Sequence, residues 1–76
     1  MSIKVINARR SPITRADLLY WADHCCPWPI DRIKYDYCND AYLVRTLNGT
    51  WLYAGDTKLI NEMISNERYA ERMATT

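Results

Sequence analysis

The sequence predicts a small α+β domain of order β-α-β-β-β-α, an antiparallel sheet of three to four strands with two helices packed on one face. Three observations carry this. From residue 32 apolar side chains fall on alternate positions through "RIKYDYC", which is the period of a strand, and the apolar runs "AYLVRTL" and "TWLYA" are read as the next two strands. Asn48-Gly49 lies between two of these runs and suits the positive φ angles of a tight hairpin turn. On either side of the strands, around residues 18–25 and 59–64, apolar residues recur at helical spacing.

The elements follow in order. "IKVI" (3–6) is short and β-prone, an edge-strand candidate that "SPI" breaks. Thr14 followed by Asp17 resembles a capping box, and Leu18, Trp21, Ala22 and Cys25 form a helical stripe behind it. Pro27 disfavours helical geometry in the residue before it, so this helix is expected to stop near Cys26. Pro27-Trp28-Pro29 then makes a stiff connector. Ile33, Tyr35 and Tyr37 alternate with Arg32, Lys34 and Asp36 in the next strand, and Asn39-Asp40 is read as a turn. Asp56 or Thr57 caps a final helix with Leu59, Ile60, Met63 and Ile64 on its apolar face. Ser65-Asn66 weakens that pattern, so residues 66–76 are expected to form a frayed segment of a single domain spanning 1–76.

Seventy-six residues give a marginal core and little room for a catalytic cleft with supporting residues. Ten Lys and Arg against nine Asp and Glu lack the basic excess usual in nucleic-acid binders. The N-terminus has no apolar signal-peptide core and no run reaches membrane-spanning length, so no membrane association is expected. Three cysteines are an odd number, which suits a reducing compartment, and the expected location is cytoplasmic.

Turn length sets which side chains are neighbours. With a two-residue turn at Asn48-Gly49, Thr46 faces Trp51, Arg45 faces Leu52 and Val44 faces Tyr53. If Asn39-Asp40 is also a two-residue turn, Tyr37 faces Tyr42 and Tyr35 faces Val44, and one face then carries Ile33, Tyr35, Tyr37, Tyr42, Val44, Thr46, Trp51 and Tyr53. The other carries Leu43, Leu47, Leu52, Ala54 and Cys38, mixed with Lys34, Asp36 and Arg45. Two short helices cover one face, so the other is expected to remain as an interaction surface. Tyr, Trp and Arg are the types enriched in binding hot spots, which singles out Tyr35, Tyr42, Trp51, Tyr53 and Arg45, with Trp28 as a rigid secondary anchor.

"HCCPW" (24–28) raises the question of chemistry. His24, Cys25, Cys26 and Cys38 are four potential zinc ligands, but adjacent cysteines on a helix diverge and no second paired motif exists. His24 and Cys25 do not face each other as a base and nucleophile would. The stretch is read as a helix end, with no cofactor, no metal and no catalytic activity expected. Its cysteines are read as structural.

The functional expectation is a non-catalytic protein-binding module acting through an aromatic sheet face. Its small size and lack of motifs fit a phage or mobile-element protein that inhibits a host complex such as a polymerase, a nuclease or CRISPR machinery. A homodimer through the spare face is compatible with this. The alternative is a nucleic-acid-binding domain using Arg9, Arg10, Arg15, Arg32 and Lys34. Residues 14–74 resemble, in their α-β-β-β-α order, double-stranded RNA-binding domains. That resemblance implies a lysine cluster at the start of the last helix, where "DTKLINEM" offers only Lys58 beside Asp56 and Glu62.

Overall fold

A computed structural model describes residues 3–74; residues 75–76 of the expected frayed end lie outside them. The elements are β1 (Lys4–Ile6), a 3-10 turn (Ala8–Arg10), α1 (Arg15–His24), β2 (Ile30–Asp36), β3 (Ala41–Thr46), β4 (Trp51–Gly55) and α2 (Thr57–Ala74). This is the expected α+β order. The sheet runs β1-β2-β3-β4 and is mixed, because β1 lies parallel to β2 while the other neighbours are antiparallel. The chain between β1 and β2 contains all of α1, and a crossover of that length allows a parallel pair.

The helix ends follow the local chemistry. Thr14 Oγ1 accepts the Asp17 backbone N–H at 3.2 Å, forming the N-cap of α1. At the other end the N–H groups of Cys25 and Cys26 both donate to the Trp21 carbonyl, at 2.8 and 3.0 Å, before Pro27 stops the helix. Asp56 caps α2 by accepting the Leu59 N–H at 2.8 Å. That helix continues through Ser65-Asn66 to Ala74 in one piece, so the weakening read there does not break it. Residues 65–74 contribute no buried side chain, which is why the apolar stripe fades although the helix does not.

Ile13, Leu18, Trp21, Ile30, Ile33, Tyr35, Tyr42, Val44, Ile60 and Ile64 form one buried cluster between the helices and one sheet face. The Tyr42 hydroxyl lies 2.6 Å from Ser11 Oγ, so the buried phenol has a partner. The Tyr35 hydroxyl donates to Asp40 Oδ1 at 2.9 Å.

Both turns differ from the expected ones. Asp36 pairs with Ala41, leaving Tyr37, Cys38, Asn39 and Asp40 as a four-residue connection in which Asp40 takes φ 49°. This shifts the pairing by two residues and preserves the faces of β2 and β3. The second turn matters more. Arg45 pairs with Trp51, Val44 with Leu52 and Leu43 with Tyr53, one residue away from the expected register. Thr46 N–H donates to the Thr50 carbonyl at 2.8 Å and Gly49 N–H to the Thr46 carbonyl at 2.9 Å, closing a three-residue loop over 47–49. Gly49 has φ 91° while Asn48 is not among the positive-φ residues, so a two-residue turn with both centres left-handed is not formed. The Asn48 side chain instead accepts the Thr50 N–H at 3.3 Å and bonds the Thr46 hydroxyl.

Candidate binding surface

Because paired residues share a face, the register defines the uncovered side of the sheet. One row across it reads Lys4–Arg32–Arg45–Trp51, and the next reads Ile6–Lys34–Leu43–Tyr53. The helices pack on the opposite side, against Ile33, Tyr35, Tyr42 and Val44. Trp51 is 44% exposed and Tyr53 62% exposed.

The expected aromatic patch is therefore corrected. Tyr35 and Tyr42 lie in the core, at 5% and 1% exposure, with ring centroids 4.6 Å apart. They cannot meet a partner in the folded domain. The one-residue difference in register moves Trp51 and Tyr53 away from them and places Leu52 and Ala54 against the core instead. Arg45 joins Trp51 and Tyr53 on the open face. Trp28 does not; it lines an open groove of about 450 Å³ with Pro29, Thr46, Leu47 and Leu52, at the hairpin end of the helix-covered side.

The residues named for a nucleic-acid interface are divided. Arg32 and Lys34 lie on the open face. Arg9 and Arg10 lie in the 3-10 turn, Arg10 stacking over the Tyr37 ring at 4.4 Å, and Arg15 begins α1. Lys4, from the short edge strand, is the cation that the sequence reading missed. No sequence signal marked it, because its alignment with Arg32 comes from the pairing of β1 beside β2.

Electrostatically this face is unbalanced. Directly opposed like charges destabilise a sheet, yet Lys4, Arg32 and Arg45 stand in one row. None of the three takes part in an ion pair among the described residues, where such pairs join His24 to Asp23 and Glu71, and Arg68 to Asp17. Asp36, at the end of β2, is held below the usual carboxylate range, first by the Asn39 amide it accepts at 2.7 Å and also by the Cys38 and Asn39 backbone and the Lys34 charge.

His24, Cys25, Cys26 and Cys38 do not assemble as a tetrad. Cys38 is exposed in the β2–β3 connection, whereas Cys25 and Cys26 are half-buried at the end of α1. Burial pushes both helix-end thiols up, and for Cys25 the Glu67 charge adds to this. A raised thiol is a poor nucleophile at neutral pH. Among the described residues the grouping within metal-ligand range is His24, Glu67 and Glu71.

Comparison with protein-family models, curated proteins and solved structures found no match.

Proposed function

We propose that the chain is a non-catalytic docking module that holds an acidic surface of a partner protein against the open sheet face. The observation that carries this is the Lys4–Arg32–Arg45–Trp51 row beside Lys34, Leu43 and Tyr53. Trp, Tyr and Arg are the side chains that concentrate binding energy, and here Trp51, Tyr53 and Arg45 surround Leu43. The opposed cations cost stability in the free domain and recover it when a carboxylate-bearing surface neutralises them. Against an overall balance of ten cations and nine anions, the Lys4, Arg32, Lys34 and Arg45 charges on this face are a local excess. A module that works by occlusion suits the inhibitory role, and covering a surface of a host polymerase, nuclease or CRISPR complex is part of the same proposal.

A second reading has its own support. A basic row ending on an exposed indole is also how single-stranded nucleic acid is gripped, the phosphates by cations and the bases by stacking. One experiment separates the two. Tagged wild type, Trp51→Ala/Tyr53→Ala and Arg32→Glu/Arg45→Glu are used to capture partners from nuclease-treated and untreated lysates at low and high salt. The docking proposal expects one stoichiometric protein that survives nuclease and is lost from both variants. Nucleic acid recovered without nuclease, with nothing retained after it, moves the second reading to the front. A protein retained equally by all three forms rules out this face.

A further inference from the structure

His24 ends α1, and Glu67 and Glu71 stand one helical turn apart on α2. One ligand atom from each lies within 4.8 Å of the other two. The imidazole is engaged on both sides. Its Nδ1 is 3.3 Å from Glu71 Oε1 and its Nε2 is 3.4 Å from Asp23 Oδ2. We propose that His24, Glu67 and Glu71 form a binding site for a first-row divalent transition metal such as zinc.

Donor chemistry and geometry point the same way. Imidazole with carboxylate is a nitrogen–oxygen set suited to zinc and its neighbours rather than to magnesium or calcium, which take oxygen alone. Two glutamates at this helical spacing repel each other, and a dication cancels their charge. Around a tetrahedral zinc with bonds of about 2.0–2.1 Å, neighbouring ligand atoms sit roughly 3.3 Å apart. The His24–Glu71 separation of 3.3 Å already matches that edge. Rotation about the flexible Glu67 side chain closes the wider one, and water completes the shell.

The surroundings fit a supported ligand. With Nδ1 on the metal, His24 Nε2–H is left to donate to Asp23, the carboxylate–histidine arrangement that orients imidazole ligands. The Tyr20 ring stacks on His24 with centroids 4.4 Å apart, which restrains the imidazole. The Tyr20 hydroxyl oxygen is out of solvent and beside the Glu71 carboxylate. From there it can donate to the Glu71 carboxylate while that group holds the metal. The site would fasten the outer half of α2 to the end of α1. Beyond Ile64 that half has no buried side chain, and its other links to α1 include the Arg68–Asp17 ion pair at 2.6 Å and Arg68 over Tyr20 at 4.8 Å.

The test uses the full chain, stripped with a chelator, and zinc competed against a chromogenic chelator. Wild type is expected to bind one zinc per chain. His24→Gln and Glu71→Gln should each weaken binding by tenfold or more, while a variant with Cys25, Cys26 and Cys38 all changed to Ser should bind as wild type does. The His24 and Glu71 side chains are 38% and 46% exposed, so these two substitutions spare the core, and circular dichroism confirms that each variant is folded. Equal affinity in wild type and a His24→Gln/Glu71→Gln double variant overturns the assignment. So does zinc binding that disappears with the thiols from a folded triple-serine variant.

Discussion

Replacing Tyr42 and Tyr53 by alanine, one at a time, tests the sheet-face assignment on which the docking proposal depends. The two tyrosines lie near each other on adjacent strands but on opposite faces. Tyr42 is 1% exposed, so its replacement removes essentially a whole aromatic side chain of about 200 Å² from the core. At about 25 cal/mol per Å² that is about 5 kcal/mol, within the range for buried aromatic-to-alanine changes. Tyr53 is 62% exposed and covers roughly two-fifths of the same area, near 2 kcal/mol, from which about 1 kcal/mol of recovered side-chain freedom is subtracted. A domain of 76 residues has a total stability of roughly 4–11 kcal/mol. Tyr42→Ala should therefore come close to unfolding the protein, and Tyr53→Ala should lower Tm by about 4–8 °C. Urea and thermal denaturation followed by circular dichroism read both. Because Tyr42→Ala leaves little native protein to measure, Tyr42→Phe supplies a milder reading. It removes the bond to Ser11, whose hydroxyl keeps the Ile13 backbone, and should cost about 0.5–1.5 kcal/mol, whereas Tyr53→Phe should cost almost nothing. A Tyr53 series as damaging as the Tyr42 series would refute the register, and with it the open face.

Two further outcomes follow from local geometry. Gly55 has φ +144°, and a Cβ there would stand 2.7 Å from Leu59 Cδ2, so Gly55→Ala strains the backbone and displaces the first turn of α2. A loss of about 1–3 kcal/mol is expected by chemical denaturation, and an unchanged midpoint would count against the close approach. Asp40 is held below the ordinary carboxylate range by hydrogen bonds from the Thr57 and Tyr35 hydroxyls. With its folded pKa depressed, its contribution to stability is complete above the unfolded value near 3.9 and is lost as pH falls through the lower folded value. Asp40→Asn should flatten the fall in Tm below pH 4, leaving the share due to Asp36; an identical acid profile would show that these hydrogen bonds do not select the carboxylate.

What could be read from the sequence was whatever neighbouring residues decide among themselves. Thr14 and Asp17 fixed one helix start, Pro27 a helix end, and alternation from Ile33 the first long strand. Register was not of this kind. Asn48-Gly49 serves a two-residue turn and a three-residue loop equally well, and the choice turned on the side chains of Thr46 and Asn48 and the Thr50 backbone. Choosing the shorter turn placed Tyr35 and Tyr42 beside Trp51 and Tyr53. The parallel placement of β1, which brings Lys4 into line with Arg32, depends on where α1 returns the chain, and no period within "IKVI" encodes that. The His24–Glu67–Glu71 cluster was hidden for a related reason. It joins α1 to a part of α2 whose helicity was doubted at Ser65-Asn66, and the phase of Glu67 and Glu71 is defined only if the helix runs through.

The length of the 47–49 loop is a heritable switch for the face this domain presents. Hairpin loops ordinarily absorb insertions and deletions. Losing one residue here would restore a two-residue turn, send Trp51 and Tyr53 inward and turn Leu52 and Ala54 out. A substitution at Leu47 or Asn48 alters one side chain, whereas a single-codon deletion would invert an entire strand. Descendants of this chain should therefore diversify the letters of the loop while keeping their number.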